Sequence, residues 1–334
     1  DNQRWKFNYY SLEKPMLSNL SGSRKVMQVT LTIMTHYDDR VIKNVKTHEL
    51  AIRAGILDVM RQKTESDLLK PDFRKALARL VPVFMPDLLF RVKADGTPVF
   101  PDFAAAASYV KLAEAAGFDS VIAVDHVVFP DNYTSTYPYS PTGRLFGGPN
   151  TPLPDPLIWM AAMAAVTTRL RFMTGVIILP LRNPLVLAKQ VATLDFMSGG
   201  RIELGIGVGW LKEEFEALGV PFAKRGNRSD EYIAAMRALW AADGASFKGE
   251  FVTFDQVSCN PKPVARSVPI VIGGHSEAAA KRAGRLGQGF FPSIGATVDT
   301  LPLYDVCRRA AAESGRDPAA IEMLGGCPDL LPGS

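Results

Sequence analysis

Four short clusters in this sequence set a polar or ring side chain beside sparsely decorated backbone: Asp125-His126, Thr174-Gly175-Val176, Gly207-Val208-Gly209-Trp210 and Gly273-Gly274-His275. A histidine titrates near neutrality, so His126 is a candidate for moving one proton, with Asp125 beside it. Glycines let a large flat or phosphorylated ligand come close to main-chain N–H groups, which bind anions. Each cluster also has a plainer use. The glycines serve a tight turn, His126 hydrogen-bonds the rim of its strand, and Asp125 orients a neighbouring N–H. Trp210 either covers the edge of a ring or seals a helix, and His275 also fits as a surface residue at a helix start. Gly205 and Gly207 begin a G-x-G, but Trp210 stands where a dinucleotide fingerprint needs its third glycine.

The elements that must position these clusters alternate. Ser120–Val124 is a continuous apolar strand, of the kind buried on both faces in a parallel sheet. Leu170–Ile178, Arg201–Ile206, Val268–Gly274, Gly289–Phe291 and Ile321–Leu324 are further strands. Between them the spacing predicts helices over 103–116, 156–165, 184–196, 210–218, 228–241, 277–286 and 299–314, the 277–286 helix capped by Ser276. Phe247–Phe254 reads as a small hairpin. Val81–Pro86 and Leu88–Val92 are candidates for a first strand, broken by Pro86. About seven such units in ~250 residues fit a TIM (β/α)8-type barrel, whose functional residues lie at the carboxyl ends of the strands. All four clusters fall there. A loop from Val127 to Leu153, dense in Pro, Tyr, Thr and Gly, is long enough to expect a functional role.

Residues 1–80 form a different segment. Val26–Met34 is a strand, and 47–62 and 66–80 have helical spacing, giving a small α+β unit. His36 and His48 stand alone there, as packing or surface residues. This segment has an excess of six cations and the remainder an excess of two anions, out of a net charge of +4. Such asymmetry points to two segments of different history rather than to nucleic acid, and no basic stripe interleaved with aromatics is present. No apolar run approaches the ~20 residues that span a bilayer. Cys259, Cys307 and Cys327 are odd in number and scattered, which argues against a disulfide framework or a zinc site and suits a reducing compartment. The polar opening, without Met, is expected of a fragment or a processed chain.

Two resemblances follow. Residues 9–20, the strand, Thr47-His-Glu-Leu-Ala-Ile-Arg-Ala-Gly-Ile-Leu-Asp-Val-Met60 and Lys63-Thr-Glu-Ser-Asp-Leu68 resemble the soluble domain of the flagellar basal-body-associated protein FliL. That family places such a domain outside the cytoplasmic membrane, beside the flagellar motor. Phe118-Asp-Ser-Val-Ile-Ala-Val-Asp-His126, residues 179–195 and residues 198–219 resemble the luciferase-like monooxygenase superfamily, over about residues 81–334. Tyr137-Pro-Tyr-Ser-Pro-Thr-Gly-Arg144 is similar to its branch that uses the deazaflavin coenzyme F420.

The second resemblance implies a barrel lacking its eighth strand, with the ring system at the carboxyl face. It implies a cytoplasmic oxidoreductase that passes a hydride between coenzyme F420 and a small organic substrate, with a homodimer possible in such proteins. Asp125 and His126 match the pair beside the ring. Gly175-Val176, with Thr174 before it, falls where the family holds a non-prolyl cis peptide. Gly207, Val208, Gly209 and Trp210, with Gly273, Gly274 and His275, match loops near the coenzyme's phosphate-bearing side chain. Arg144, Arg182, Lys189, Arg225 and Arg228 are cations that could attract an acidic tail. An FMN-dependent monooxygenase of the same superfamily is the alternative. A non-enzymatic flagellar-motor accessory, in a fused or chimeric chain, is an alternative of another class.

Overall fold

The computed structural model describes residues 8–11, 16–19, 26–29, 32–35, 91–92, 98–99, 102–116, 118–140, 142–145, 151–292 and 301–324. The helices expected at 47–62 and 66–80, the strand candidate at 81–86, His36, His48 and Cys327 lie outside them. The chain separates into two compact units, Asp1–Phe84 with Cys327–Ser334, and Met85–Gly326.

In the first unit β1 (Asn8–Ser11) pairs antiparallel with β4 (Thr32–Thr35), and β2 (Met16–Asn19) with β3 (Val26–Val29). The strand read over 26–34 covers β3 and most of β4.

The second unit opens with a departure from the sequence reading. Arg91–Val92 (β5), the described end of the candidate first barrel strand, pairs antiparallel with Pro98–Val99 (β6) and is not in the parallel sheet. Asp95-Gly96 between them is a dipeptide that favours turning the chain back.

From there helices and strands alternate. First come α1 (Phe103–Ala116), β7 (Ser120–Ala123), α2 (Pro156–Ala164), β8 (Arg171–Thr174), β9 (Ile177–Ile178), α3 (Pro184–Ser198) and β10 (Ile202–Gly207). Then follow α4 (Lys212–Ala217), α5 (Arg225–Ala241), the hairpin β11 (Ala245–Lys248) and β12 (Thr253–Val257), and β13 (Ile270–Gly273). The last are α6 (Glu277–Leu286), β14 (Gly289–Phe291), α7 (Leu301–Glu313) and β15 (Glu322–Met323). The parallel strands lie in the order β15-β14-β13-β10-β8-β7, and β9 continues β8 along the same side of β10. This sheet curls into a half-barrel with its helices, the TIM-type architecture expected. Among the described residues six strand positions are filled and no strand closes β15 onto β7.

Every residue of β10 and β13 is buried, while β7 buries only Val121 and Ala123. Burial on both faces was expected of β7. It flanks the sheet among the described residues, so one side of it has no strand neighbour.

The helix starts follow from the sequence. Asp155 and Asn183 each precede a proline and accept the N–H groups two and three residues on, and the Ser276 hydroxyl caps α6 through the Ala279 N–H. Polar side chains then join elements. Arg201 donates to the carbonyls of Ala164, Leu170 and Ser198 and to the Thr167 hydroxyl. The Trp240 indole N–H donates to Ala188 O at 2.9 Å, fastening α5 to α3. Glu231 accepts the N–H groups of Glu250, Phe251 and Val252 at the hairpin tip. No helix among the described residues is long and apolar enough to cross a membrane.

Candidate active site

Asp125 follows the end of β7 and its side chain is fully buried. One oxygen accepts Arg182 Nη2 at 2.6 Å and the other the Ile178 N–H at 3.1 Å. Arg182 Nη1 reaches Asp155 at 3.0 Å, so one guanidinium ties the end of β7 to the capping residue of α2. Burial pushes the Asp125 carboxyl above its usual range and Arg182 pulls against it. Burial also works against the Arg182 charge, but Asp125 and Asp155 prevail and raise its pKa. Asp125 thus lies beneath the rim, with both oxygens engaged.

His126 stands differently. Its Nδ1 lies 2.9 Å from Oε2 of Glu214, a residue of α4 with no solvent exposure. The other Glu214 oxygen accepts the N–H groups of Val127 at 2.7 Å and Val128 at 3.3 Å. A carboxylate only accepts, so as the acceptor Glu214 calls for a ring proton on Nδ1. The neighbouring Glu213 grips the same loop farther on, taking the N–H and hydroxyl groups of both Thr134 and Ser135. Burial works against the Glu213 charge, but Ser135 and Thr134 outweigh it and bring its pKa down to about 2. Two adjacent acids in the first turn of α4 therefore hold both ends of residues 126–135, where negative charge suits a helix start.

The loop expected to be functional packs its rings over the strand ends. Trp210 lies 6.0 Å from the His126 ring, 5.7 Å from Tyr133 and 5.1 Å from Tyr137, centroid to centroid. Tyr137 meets Tyr139 at 5.4 Å, and Tyr139 meets His275 at 4.8 Å. An unbroken series of rings thus runs from His126 to His275 and joins three residues singled out in the sequence. Burial raises the Tyr139 phenol to about 12. His275 Nδ1 is buried with no hydrogen-bond partner among the described residues, and burial lowers the pKa of this ring. Trp210 was expected inside a helix over 210–218, but α4 begins at Lys212, so Trp210 sits in the turn before it.

Two of the glycines, Gly207 and Gly273, converge on Val176. The Gly175–Val176 peptide is cis and not prolyl, the geometry that the resemblance implies here. A Cβ on Gly207 would stand 2.7 Å from Val176 Cγ2, and one on Gly273 would stand 2.6 Å from Val176 Cγ1. A Cβ on Gly175 would meet Ile122. Gly209 and Gly274 hold φ of +83° and +123°, open to glycine alone without strain. Thr174 is buried and its hydroxyl donates to Gly205 O at 2.6 Å. Val208 is half-buried between them. At Gly207 and Gly273 the missing Cβ thus makes room for the Val176 side chain.

Four of the five cations noted in the sequence are engaged. Arg182 is in the ion pair, Arg225 donates to Gly209 O and lies over Phe222, Arg228 donates to Pro221 O, and Arg144 donates to Tyr133 O and lies over its ring. Lys189 is exposed. A cleft of about 590 Å³ opens between the loop and α4, with Tyr133, Arg144, Lys212 and Glu213 among its walls; Arg144 lines it, and none of the residues of the four clusters does. Sequence reasoning missed Glu214, Tyr137 and Tyr139 as site residues. The signals were Glu213-Glu214 at a helix start and a tyrosine-rich loop.

Comparison with known proteins agrees with this architecture. Residues 87–327 match the family model of the luciferase-like monooxygenases, and residues 9–81 match that of the flagellar basal body-associated protein FliL. An uncharacterized protein of Mycobacterium tuberculosis is 41% identical over 184 residues, which are 55% of this chain and 64% of that protein. An FMNH(2)-dependent dimethylsulfone monooxygenase of Pseudomonas putida is 35% identical over 158 residues, 46% of this chain and 43% of its own length. The solved structure of an F420-dependent secondary alcohol dehydrogenase with an F420-acetone adduct superposes with a TM-score of 0.55 at 26% identity, over 67% of this chain and 64% of that one. The chain thus spans under two thirds of the length of the curated relatives it matches.

Proposed function

The chain belongs to the luciferase-like monooxygenase family, and we propose that its barrel is an F420-dependent oxidoreductase acting on a small organic substrate. The observation that carries the reading is His126, held at Nδ1 by the buried Glu214 and edged by Trp210 at the carboxyl end of the sheet. When bound, the deazaflavin supplies a ring carbon that gives or accepts two electrons as a hydride. The chain must then hold the reacting carbons close, exclude water and manage one proton. His126 Nε2 manages the proton, Asp125 and Arg182 fix the backbone under it, and the ring series over 129–139 excludes water.

The residues fit such a group at two points. Among the described residues His275 Nδ1 is a buried polar atom still lacking a partner, and His126 keeps one ring nitrogen uncommitted. Thr174 to Val176, Gly207 to Trp210 and Gly273 to His275 would hold it. The likeness to the F420-dependent alcohol dehydrogenase and the Tyr137 to Arg144 motif favour F420. The 35% identity to an FMNH(2)-dependent enzyme supports FMN as the second reading. Residues 1–80 are assigned to a FliL-like segment and 81–334 to the barrel, which is cytoplasmic and able to form a homodimer. Spectral titration of the whole chain with each coenzyme tests the assignment. Saturable F420 binding is expected, and saturable binding of FMN alone overturns it.

A further inference from the structure

Glu214 lies outside everything the glycine clusters define, yet its carboxylate is fully buried near the rim. It has no solvent exposure and gathers three donors, His126 Nδ1, Val127 N and Val128 N. Holding the loop does not require the third. Two backbone N–H groups would anchor residues 127 and 128, and Glu213 shows that the neighbouring acid anchors 134 and 135 with no imidazole at all. The contact to His126 sets something more: which ring nitrogen bears the proton.

We propose that Glu214 is a positioning residue that locks His126 in the Nδ1–H form, so that Nε2 is the nitrogen presented to the substrate. This rests on the reading that His126 handles the proton of the reaction. Around the ring, the facing charged group is Glu214 of α4. Phe129, at 5.2 Å, and Trp210, at 6.0 Å, are uncharged edges, and Asp125 is turned to Arg182. With Nδ1 committed, the imidazole can turn little about its Cβ–Cγ bond without breaking a buried charge-assisted hydrogen bond. As Nε2 takes a proton the ring becomes a cation beside a carboxylate, and as it gives the proton up the neutral Nδ1–H form returns. The proton moves between Nε2 and the substrate, and Glu214 takes up none.

The Glu214→Gln variant reverses the donor. A glutamine can keep its carbonyl on the Val127 and Val128 N–H groups and then offers His126 an N–H, which requires a bare Nδ1 and moves the proton to Nε2. In the whole chain with 15N-labelled histidine and no coenzyme, ring nitrogen shifts report the tautomer, His126 being assigned by its loss in His126→Asn. The wild type is expected to show a protonated Nδ1 and a bare Nε2 in the neutral ring, and Glu214→Gln the reverse, with the His275 signals unmoved. A wild-type ring protonated at Nε2, or a variant indistinguishable from wild type, overturns the proposal. If Glu214→Gln does not fold, the wild-type spectrum alone decides. In turnover the variant is expected to lose about 100-fold in kcat, the scale of general acid–base catalysis, with KM within about threefold. An effect confined to KM overturns the positioning role. If neither coenzyme supports turnover, the cofactor reading fails, and the nitrogen shifts still decide where the proton sits.

Discussion

Val176 occupies the space that a side chain at Gly207 would need, its Cγ2 lying 2.7 Å from the position of the missing Cβ. A residue between β8 and β9 and the glycine that ends β10 are therefore one packing unit. Gly207→Ala should cost about 1–3 kcal/mol, as overpacking does. Val176→Ala should relieve it, so that the double variant is more stable than the sum of the single changes by at least about 1 kcal/mol. Denaturant unfolding of the four proteins gives the coupling, and strict additivity would show that the two do not share the space.

Arg201 is the fastening at the other end of the sheet. Its guanidinium and Nε serve three carbonyls and the Thr167 hydroxyl between α2, β8 and α3. Arg201→Ala leaves those acceptors without their donor and should destabilise the second unit by about 2–4 kcal/mol, measured by chemical unfolding. A loss under about 0.5 kcal/mol would mean that water replaces the guanidinium.

Glu213 gives a pH dependence with a definite sign. Its folded pKa is lowered from the ordinary 4.5 to about 2, so its hold on Thr134 and Ser135 contributes stability that is complete above pH 4.5. That contribution is lost as pH falls towards 2. The difference in melting temperature between wild type and Glu213→Gln should stay constant from pH 7 to about 5 and narrow only below 4.5. A gap that already closes between pH 7 and 5 would contradict the assignment.

What the sequence made legible follows from local rules. The Ser276 cap carries its own signal, and β10, β13 and the 245–257 hairpin have the composition that buried or paired strands need. The start of α5 was read one turn late, at Arg228 instead of Arg225, because Lys224 enters it with φ of +56° and no side-chain cap. Glu214 was illegible for a different reason. Of two adjacent glutamates, one turns inward to the histidine that follows β7, two strands away in the sheet, and only the angle of α4 on the sheet decides which. Tyr137 and Tyr139 sit in a loop whose contacts are made with Trp210 and His275, far away in sequence, so spacing holds no trace of their place.

The account's central claim is that the ring coenzyme meets the chain at the carboxyl ends of β7 to β13. Hydrogen–deuterium exchange of the whole chain, with and without saturating F420, tests it most directly. Slowed exchange is predicted at residues 126–128, 174–178, 207–210 and 273–276. Protection confined to 131–134 and 212–216, the walls of the open cleft, would place the ligand there instead and contradict the account.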